Sequence, residues 1–427
     1  MDFVSVIVII VNILLAVKLA VGTTPILVWW ERRVAGFIQD RTGPNRCHIG
    51  GFRLGGLVQS VADMLKLVFK EDFAPSHIKY KFLFSAAPAI VFFCSLLTFA
   101  VIPFADVLII DGQSHMMQAL PIQLGILWFF AYAGLSTYGI ILGGYSSNNK
   151  YGLLSSIRTT AQVISYEASM ALAVVSVVIS YGTIHLNGMV ASQGELLFGF
   201  LPAWGVIIQP LACLLFVVCA FAETNRTPFD ISEGESEIVA GYHTEYSAMR
   251  FGLFQVGEFA AMAASSAIIV TLFFGGYHIP WMSTETLKAN IDNVLMVMIL
   301  LTPVLTILFI GWMHKNNVWK NPNDPRAKES RVLTRVFIGL SAIITLTLIF
   351  VFVSGLSQNG INIATAIVQV STFLVKFFMM CFVFIWVRWT LLRFRYDQLQ
   401  MLGWKVLLPL ALLNIVITAV VVVVLGS

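Results

Sequence analysis

Apolar residues run along this chain in blocks longer than most soluble helices need. A hydrocarbon core about 30 Å thick takes roughly 20 helical residues. Ten blocks qualify: about 3–30, 82–104, 119–144, 155–180, 203–222, 252–275, 291–313, 332–354, 361–391 and 405–425. The first is too long for an upright span and contains Pro25, so a tilt or kink is expected. Segment 54–70, LGGLVQSVADMLKLVFK, has a different rhythm. Leu54, Leu57, Val58, Val61, Met64 or Leu65, and Val68 recur at helical spacing, with Asp63, Lys66 and Lys70 elsewhere. It is too short and too charged to span, and predicts an amphipathic helix lying at the membrane surface.

The polar connections alternate in basic content. Loop 31–81 carries Arg32, Arg33, Arg41, Arg46, Arg53, Lys66, Lys70, Lys79 and Lys81, whereas 105–118 carries no Lys or Arg. Lys150 and Arg158 follow, then 181–202 has none; 223–251 has Arg226 and Arg250, and 276–290 only Lys288. Loop 314–335 is basic again, 355–360 is not, and the last connection holds Arg388, Arg393, Arg395 and Lys405. Basic flanks stay in the cytoplasm, so the odd-numbered loops are expected there and both termini outside.

Composition agrees. The 427 residues are 58% hydrophobic and 11% charged, with mean hydropathy +0.86. That mix excludes an ordinary soluble enzyme and predicts one integral membrane domain over 1–427. The N-terminal run follows Asp2 rather than a basic n-region and reads as a retained helix, not a cleaved signal. The net charge of +4 follows membrane sidedness and is no nucleic-acid signature. Cys47, Cys94, Cys213, Cys219 and Cys381 lack ligand spacing, and the four in apolar runs read as packing residues. There is no GxGxxG, no Walker A motif and no Cys or His ligand set, so no nucleotide, flavin, haem or cluster is expected on this chain. No alternating pattern suggests a barrel.

Acids near or inside a membrane mark ion or proton pathways by default. Residues 223–250 concentrate them: Glu223, Asp230, Glu233, Glu235, Glu237 and Glu245, with Arg226 and Arg250 as the fixed bases. Solvated loop acids are the bland reading. Pro228, Phe229, Ile231, Ile238 and Val239 interrupt the charges, which favours a packed loop. Glu233 and Glu237 would share one face of a helix, and like charges held close raise each other's pKa. Glu167 falls in mid-span, either as a hydrogen-bonded packing residue or as a proton carrier. After the first span come Trp30-Glu31-Arg32-Arg33 and Gln39-Asp40-Arg41-Thr42-Gly43-Pro44-Asn45-Arg46, generically an aromatic anchor with a basic flank and a turn.

Together these segments resemble a known family. ERR…QDRTGPN, VADMLKLVFKED, SSNNKYGLL…SYE, ETNRTPFDISEGESE…GYHTEYS…RFGLF…VGE and RFRYDQL…WK occur in the order of the quinone-channel membrane subunit of respiratory complex I. The resemblance implies an all-α polytopic bundle of about ten spans, some tilted or broken, with a cytoplasmic amphipathic helix. It implies that Glu31, Arg32, Arg41, Arg53, Phe229 and Arg395 border a quinone tunnel. Proton coupling falls to Glu167, Glu223, Asp230, Glu233, Glu235, Glu237, Glu245 and Glu258. Quinone is the implied substrate, and FMN and iron–sulfur clusters belong to partner subunits of the complex. The expected location is a bacterial inner membrane. The resemblance covers about 1–280 and 361–427; the two spans within 281–360 read as an insertion. The alternatives are the anchor subunit of a related membrane-bound hydrogenase and, from another class, a secondary transporter. The latter would show inverted repeats, and none is visible.

Overall fold

The computed structural model of the chain describes residues 3–197, 199–232, 238–315 and 325–425. Every apolar block predicted above becomes helix. Helix α1 (Phe3–Val17) passes through a π-turn at Lys18–Gly22 into α2 (Thr24–Ile38). The break lies just ahead of Pro25, which cannot donate a hydrogen bond one turn back and crowds the carbonyl there. Helix α3 (Leu57–Phe69) is the predicted amphipathic element and packs on α2 and on α10 (Ala248–Phe273). Val61, Met64, Leu65 and Val68 remain exposed on it.

Helices α4 (Lys81–Leu97) and α5 (Gly125–Ser146) form a close pair. Gly139 permits the approach: a Cβ there would stand 2.5 Å from Val91 Cγ2. Helix α6 (Lys150–Tyr181) is capped by Asn149, whose side chain accepts from the Tyr151 N–H, and ends at Gly182 in the left-handed region, φ +65°. After the short α7 (Leu186–Ser192), predicted span 203–222 is broken into α8 (Gly205–Ile208) and α9 (Pro210–Glu223). Pro210 lacks an N–H, and the break is tolerated because Gln209 is tied down on three sides. Its amide donates to Ser180 Oγ (2.8 Å) and Thr418 Oγ1 (2.9 Å), and its carbonyl accepts from Asn414 (3.1 Å).

Helix α10 is the enclosed centre, with 83% of its spanning window buried. The short α11 (Thr284–Ala289) leads to α12 (Ile291–Lys315) and α13 (Pro325–Ser354), the two helices of the predicted insertion. They pack on each other, and their spanning windows are 6% and 0% buried, so the pair hangs off the body. Helix α14 (Gln358–Thr390) returns to the core, and α15 (Tyr396–Met401), a π-turn and α16 (Leu408–Leu425) complete the bundle. Nine segments among the described residues are long and apolar enough to span; α9, at 14 residues, is shorter. Among the described residues the strands are two small hairpins, Leu108–Ile110 with Gln113–His115 and Leu196–Leu197 with Leu201–Pro202.

The loops sort as an alternating topology requires. Loops predicted on the basic side touch one another: Asn148 donates to His77 O (3.0 Å), Asn149 to Glu245 (2.9 Å), Arg250 pairs with Asp72 (3.1 Å), and Arg393 with Asp230 (2.8 Å). Glu329 joins the same end by accepting from the Arg53 N–H (3.1 Å). The loops without basic runs meet at the other end, through Asn359–Asp111 (2.6 Å), Asn187–Gln118 (3.2 Å) and Trp281–Phe200 O (2.9 Å).

Candidate proton and quinone site

One carboxylate organises the basic-loop end. Glu31, on α2, binds Arg226 through Oε2 (3.0 Å) and Arg388 through Oε1 (2.9 Å). Arg226 follows α9 and is 4% exposed; its guanidinium lies 4.1 Å from the centre of the Phe259 ring. Its Nε and Nη2 are enclosed without hydrogen-bond partners. A second pair, Arg393–Asp230, stands on the same turn. The turn is stitched down by Gln162, which donates to Ala222 O (2.7 Å) and Phe229 O (2.8 Å), and by the Phe394 N–H on Pro228 O (3.0 Å). Phe229 is buried in the core, its ring 5.5 Å from both Tyr166 and Phe394.

Deeper in, Glu167 of α6 presses on α5, where Gly134 leaves room; a Cβ there would stand 2.9 Å from its Oε1. Glu223 closes α9, with Oε2 enclosed and without a partner. Helix α9 packs on α6, the helix that carries Glu167. A carboxylate in that setting has a direct incentive to hold a proton.

Two further acids lie towards α4 and α5. Glu258 accepts from the Tyr242 hydroxyl (2.8 Å), with His243 Nε2 at 3.7 Å. Burial pushes His243 down to about 3, so the ring is neutral at physiological pH and its contact with Glu258 is dipolar. Glu245 accepts from Asn149 and faces His77 at 3.7 Å. Glu233, Glu235 and Glu237 lie outside the described residues. Ser155 of α6 donates to Ser232 O (2.6 Å), and Gly241, at φ +60°, packs so closely on that carbonyl that no side chain would fit.

The ERR and GPN segments form a separate mouth. Arg32 pairs with Asp63 of α3 (2.6 Å), and Arg41 donates to Gln39 (2.6 Å). Arg33 fastens the mouth by donating to Gly55 O (2.6 Å) and Thr42 O (2.9 Å). Arg32, Arg41, Arg46, Gln59 and the 43–45 turn line an open depression of about 390 Å³. Arg53 has Nε and Nη1 enclosed without partners. Arg395 is apart from these groups: it is exposed and makes a bidentate pair with Asp397 (2.6 and 2.5 Å) in its own loop.

Sequence reasoning misses three participants. Arg226 and Arg388 count in the sequence only as topological bases. Lys376 is a lone ammonium in an apolar run, the very signal that marks intramembrane charges. It lies at the opposite end and donates to Phe274 O (2.7 Å), Gly276 O (3.1 Å) and His278 O (2.5 Å), over the Trp204 ring (4.5 Å). Three filled donors describe a charged ammonium holding the end of α10 to α14. Lys376→Met should lower the stability of the chain by about 2 kcal/mol, since charged hydrogen bonds contribute roughly 1.5–3 kcal/mol. Thermal denaturation in detergent measures it, and an unchanged midpoint would leave the ammonium without a stabilising role. Among the described residues no group of three His, Cys, Asp or Glu side chains converges as a metal site.

Known proteins are similar to this chain along nearly its whole length. The family model for NADH dehydrogenase matches residues 9–320 and 331–419, running through most of the stretch read as an insertion. A subunit of the NADH-quinone oxidoreductase of Flavobacterium psychrophilum is 38% identical over 92% of this chain and 90% of its own. The corresponding NADH-quinone oxidoreductase subunit of Salinibacter ruber is 38% identical over 94% and 92%. NADH-quinone oxidoreductase subunit 8 of Rhodothermus marinus is 36% identical over 93% and 92%.

Proposed function

The chain belongs to the NADH dehydrogenase family, as a membrane subunit of NADH-quinone oxidoreductase, and on that premise we propose that it walls a quinone tunnel and passes protons inward from it. It is an integral membrane protein and part of an enzyme of many subunits. Partner subunits carry FMN and iron–sulfur clusters and deliver two electrons from NADH. Quinone takes up those electrons and two protons to become quinol. The basic-loop end faces the cytoplasm of a bacterial inner membrane, where the soluble arm docks, and both termini lie outside.

The observation that carries this reading is the combination of an arginine-lined mouth with buried carboxylates behind it. Arg32, Arg41 and Arg53 supply hydrogen-bond donors for a quinone carbonyl; Arg53 has enclosed N–H groups to spare. Glu31 answers charge changes at the mouth through Arg226 and Arg388. Glu223 and Glu167 lie further along, where low dielectric makes each proton strongly felt by its neighbour. Asp230, Glu245 and Glu258, with Glu233, Glu235 and Glu237 of the loop, complete the acid chain. Phe229 contributes its apolar wall beside Tyr166 and Phe394, and the family resemblance adds Arg395 of the neighbouring RFRYDQL segment. The two helices within 281–360 are an addition to a core formed by 1–280 and 361–427.

A photoreactive quinone analogue tests this in the purified assembly. Illumination should label peptides from 29–63 of this chain, and excess native quinone should suppress the label. Labelling confined to other subunits, or labelling that quinone does not compete away, would overturn the tunnel assignment.

A further inference from the structure

The α12–α13 pair meets the body at both ends. Towards the loops without basic runs, Leu287, Ile291 and Val368 form a small apolar cluster with Val294, Met298 and Ile361 packed on it. At the basic-loop end the contact is polar and specific. Glu329 near the start of α13 is 7% exposed. Its Oε1 accepts from the backbone N–H of Arg53 (3.1 Å) and of Gly55 (3.2 Å).

The receiving backbone has an unusual shape. Leu54, Gly55 and Gly56 have φ of +48°, +63° and +102°, so the chain turns tightly and aims neighbouring N–H groups at one point. Backbone of this kind forms an anion-binding concavity. The Gly55 carbonyl, in the next peptide unit, takes Arg33 and the Trp29 indole (3.0 Å). The Arg33 charge also faces Glu329. Gly56 lies so close to Pro44 O that a side chain would not fit. The carboxylate therefore fixes a turn that is packed against the 43–45 turn and carries Arg53. The 43–45 turn lines the mouth, and Arg53 is carried on the turn packed against it.

We propose that Glu329 is a positioning residue for quinone entry, through which the outlying helix pair holds the Arg53–Gly56 turn and so sets the shape of the mouth. The proposal rests on the reading of that mouth as the quinone entrance. It predicts an effect on quinone binding from a residue of a helix pair that otherwise stands apart. A carboxylate serving only to anchor α13 would move stability and leave quinone affinity unchanged.

Glu329→Ala, Glu329→Gln and Arg53→Ala, each in the whole assembly, separate these cases. NADH oxidation by an artificial acceptor that bypasses quinone serves as the control for an intact complex. With Glu329→Ala the quinone KM should rise on the order of tenfold, the effect of losing one charge-assisted contact, while kcat holds. Glu329→Gln should restore most of the affinity, because an amide oxygen accepts from both N–H groups. Arg53→Ala should raise KM as well. If Arg53→Ala raises KM and Glu329→Ala does not, the positioning role is wrong and the entrance reading stands. If neither changes KM, the entrance reading fails and the role fails with it. Should Glu329→Ala not assemble, Glu329→Asp decides: its carboxylate is drawn back by one methylene. A raised KM then supports the role, and a wild-type KM overturns it.

Discussion

Glu223→Gln is expected to cut coupled quinone turnover on the order of a hundredfold, about 2.7 kcal/mol in barrier, with the complex assembled and the artificial-acceptor activity intact. The reason lies in the site. Glu223 ends α9 with one oxygen enclosed and unpartnered, and α9 packs on the helix that carries Glu167. A buried ion with a like-charged neighbour is costly, so a proton is readily taken up there and handed on when the field changes. Glutamine keeps the volume and the helix end but cannot titrate. The neighbour gives a sharper test. Glu167→Gln should cause a loss of similar size, and the double variant should be scarcely worse than either single one, because two carriers of one proton chain fail as a unit. Additive losses would mean separate roles. Proton pumping near the wild-type rate in the assembled double variant would remove both residues from the pathway.

The fold is legible in the sequence to the extent that run length and charge decide it. Each apolar block becomes helix, because a lipid core leaves the backbone no other open arrangement. Loop bases divide the connections into two sets, and the structure joins each set to itself at one end. What run length does not convey is continuity. The block at 203–222 reads as one span, yet it breaks at Gln209, whose three partners come from α6 and α16, distant in sequence. The site is legible in its residue types and not in its pairings. Glu31 and Arg388 are far apart along the chain, and nothing local joins them. Arg33 reads in sequence only as part of a motif, but it is the fastener of the mouth. Glu329 is an acid in a basic loop, where sequence alone gives it no address.

Glu31→Gln should be the most damaging single change to the folded chain. The carboxylate holds Arg226 at 3.0 Å and Arg388 at 2.9 Å, and thereby joins α2, the turn after α9 and the end of α14. Arg226 is almost wholly buried and already has two nitrogens without partners, so Glu31 is its counter-charge and Phe259 its remaining support. Removing one member of a buried ion pair leaves the other charge uncompensated, at a cost of about 3–5 kcal/mol. Here two guanidiniums would then repel each other at close range. The chain should be depleted from the assembly, or the assembly should melt well below wild type. If the loss comes from the stranded charges, removing a base should recover stability. Glu31→Gln combined with Arg388→Met should therefore melt above Glu31→Gln alone, since relieving the repulsion outweighs the lost contact. A double variant less stable than the single one would mean that Arg388 is held by groups other than Glu31. A single variant that melts like wild type would deny the triad any structural weight.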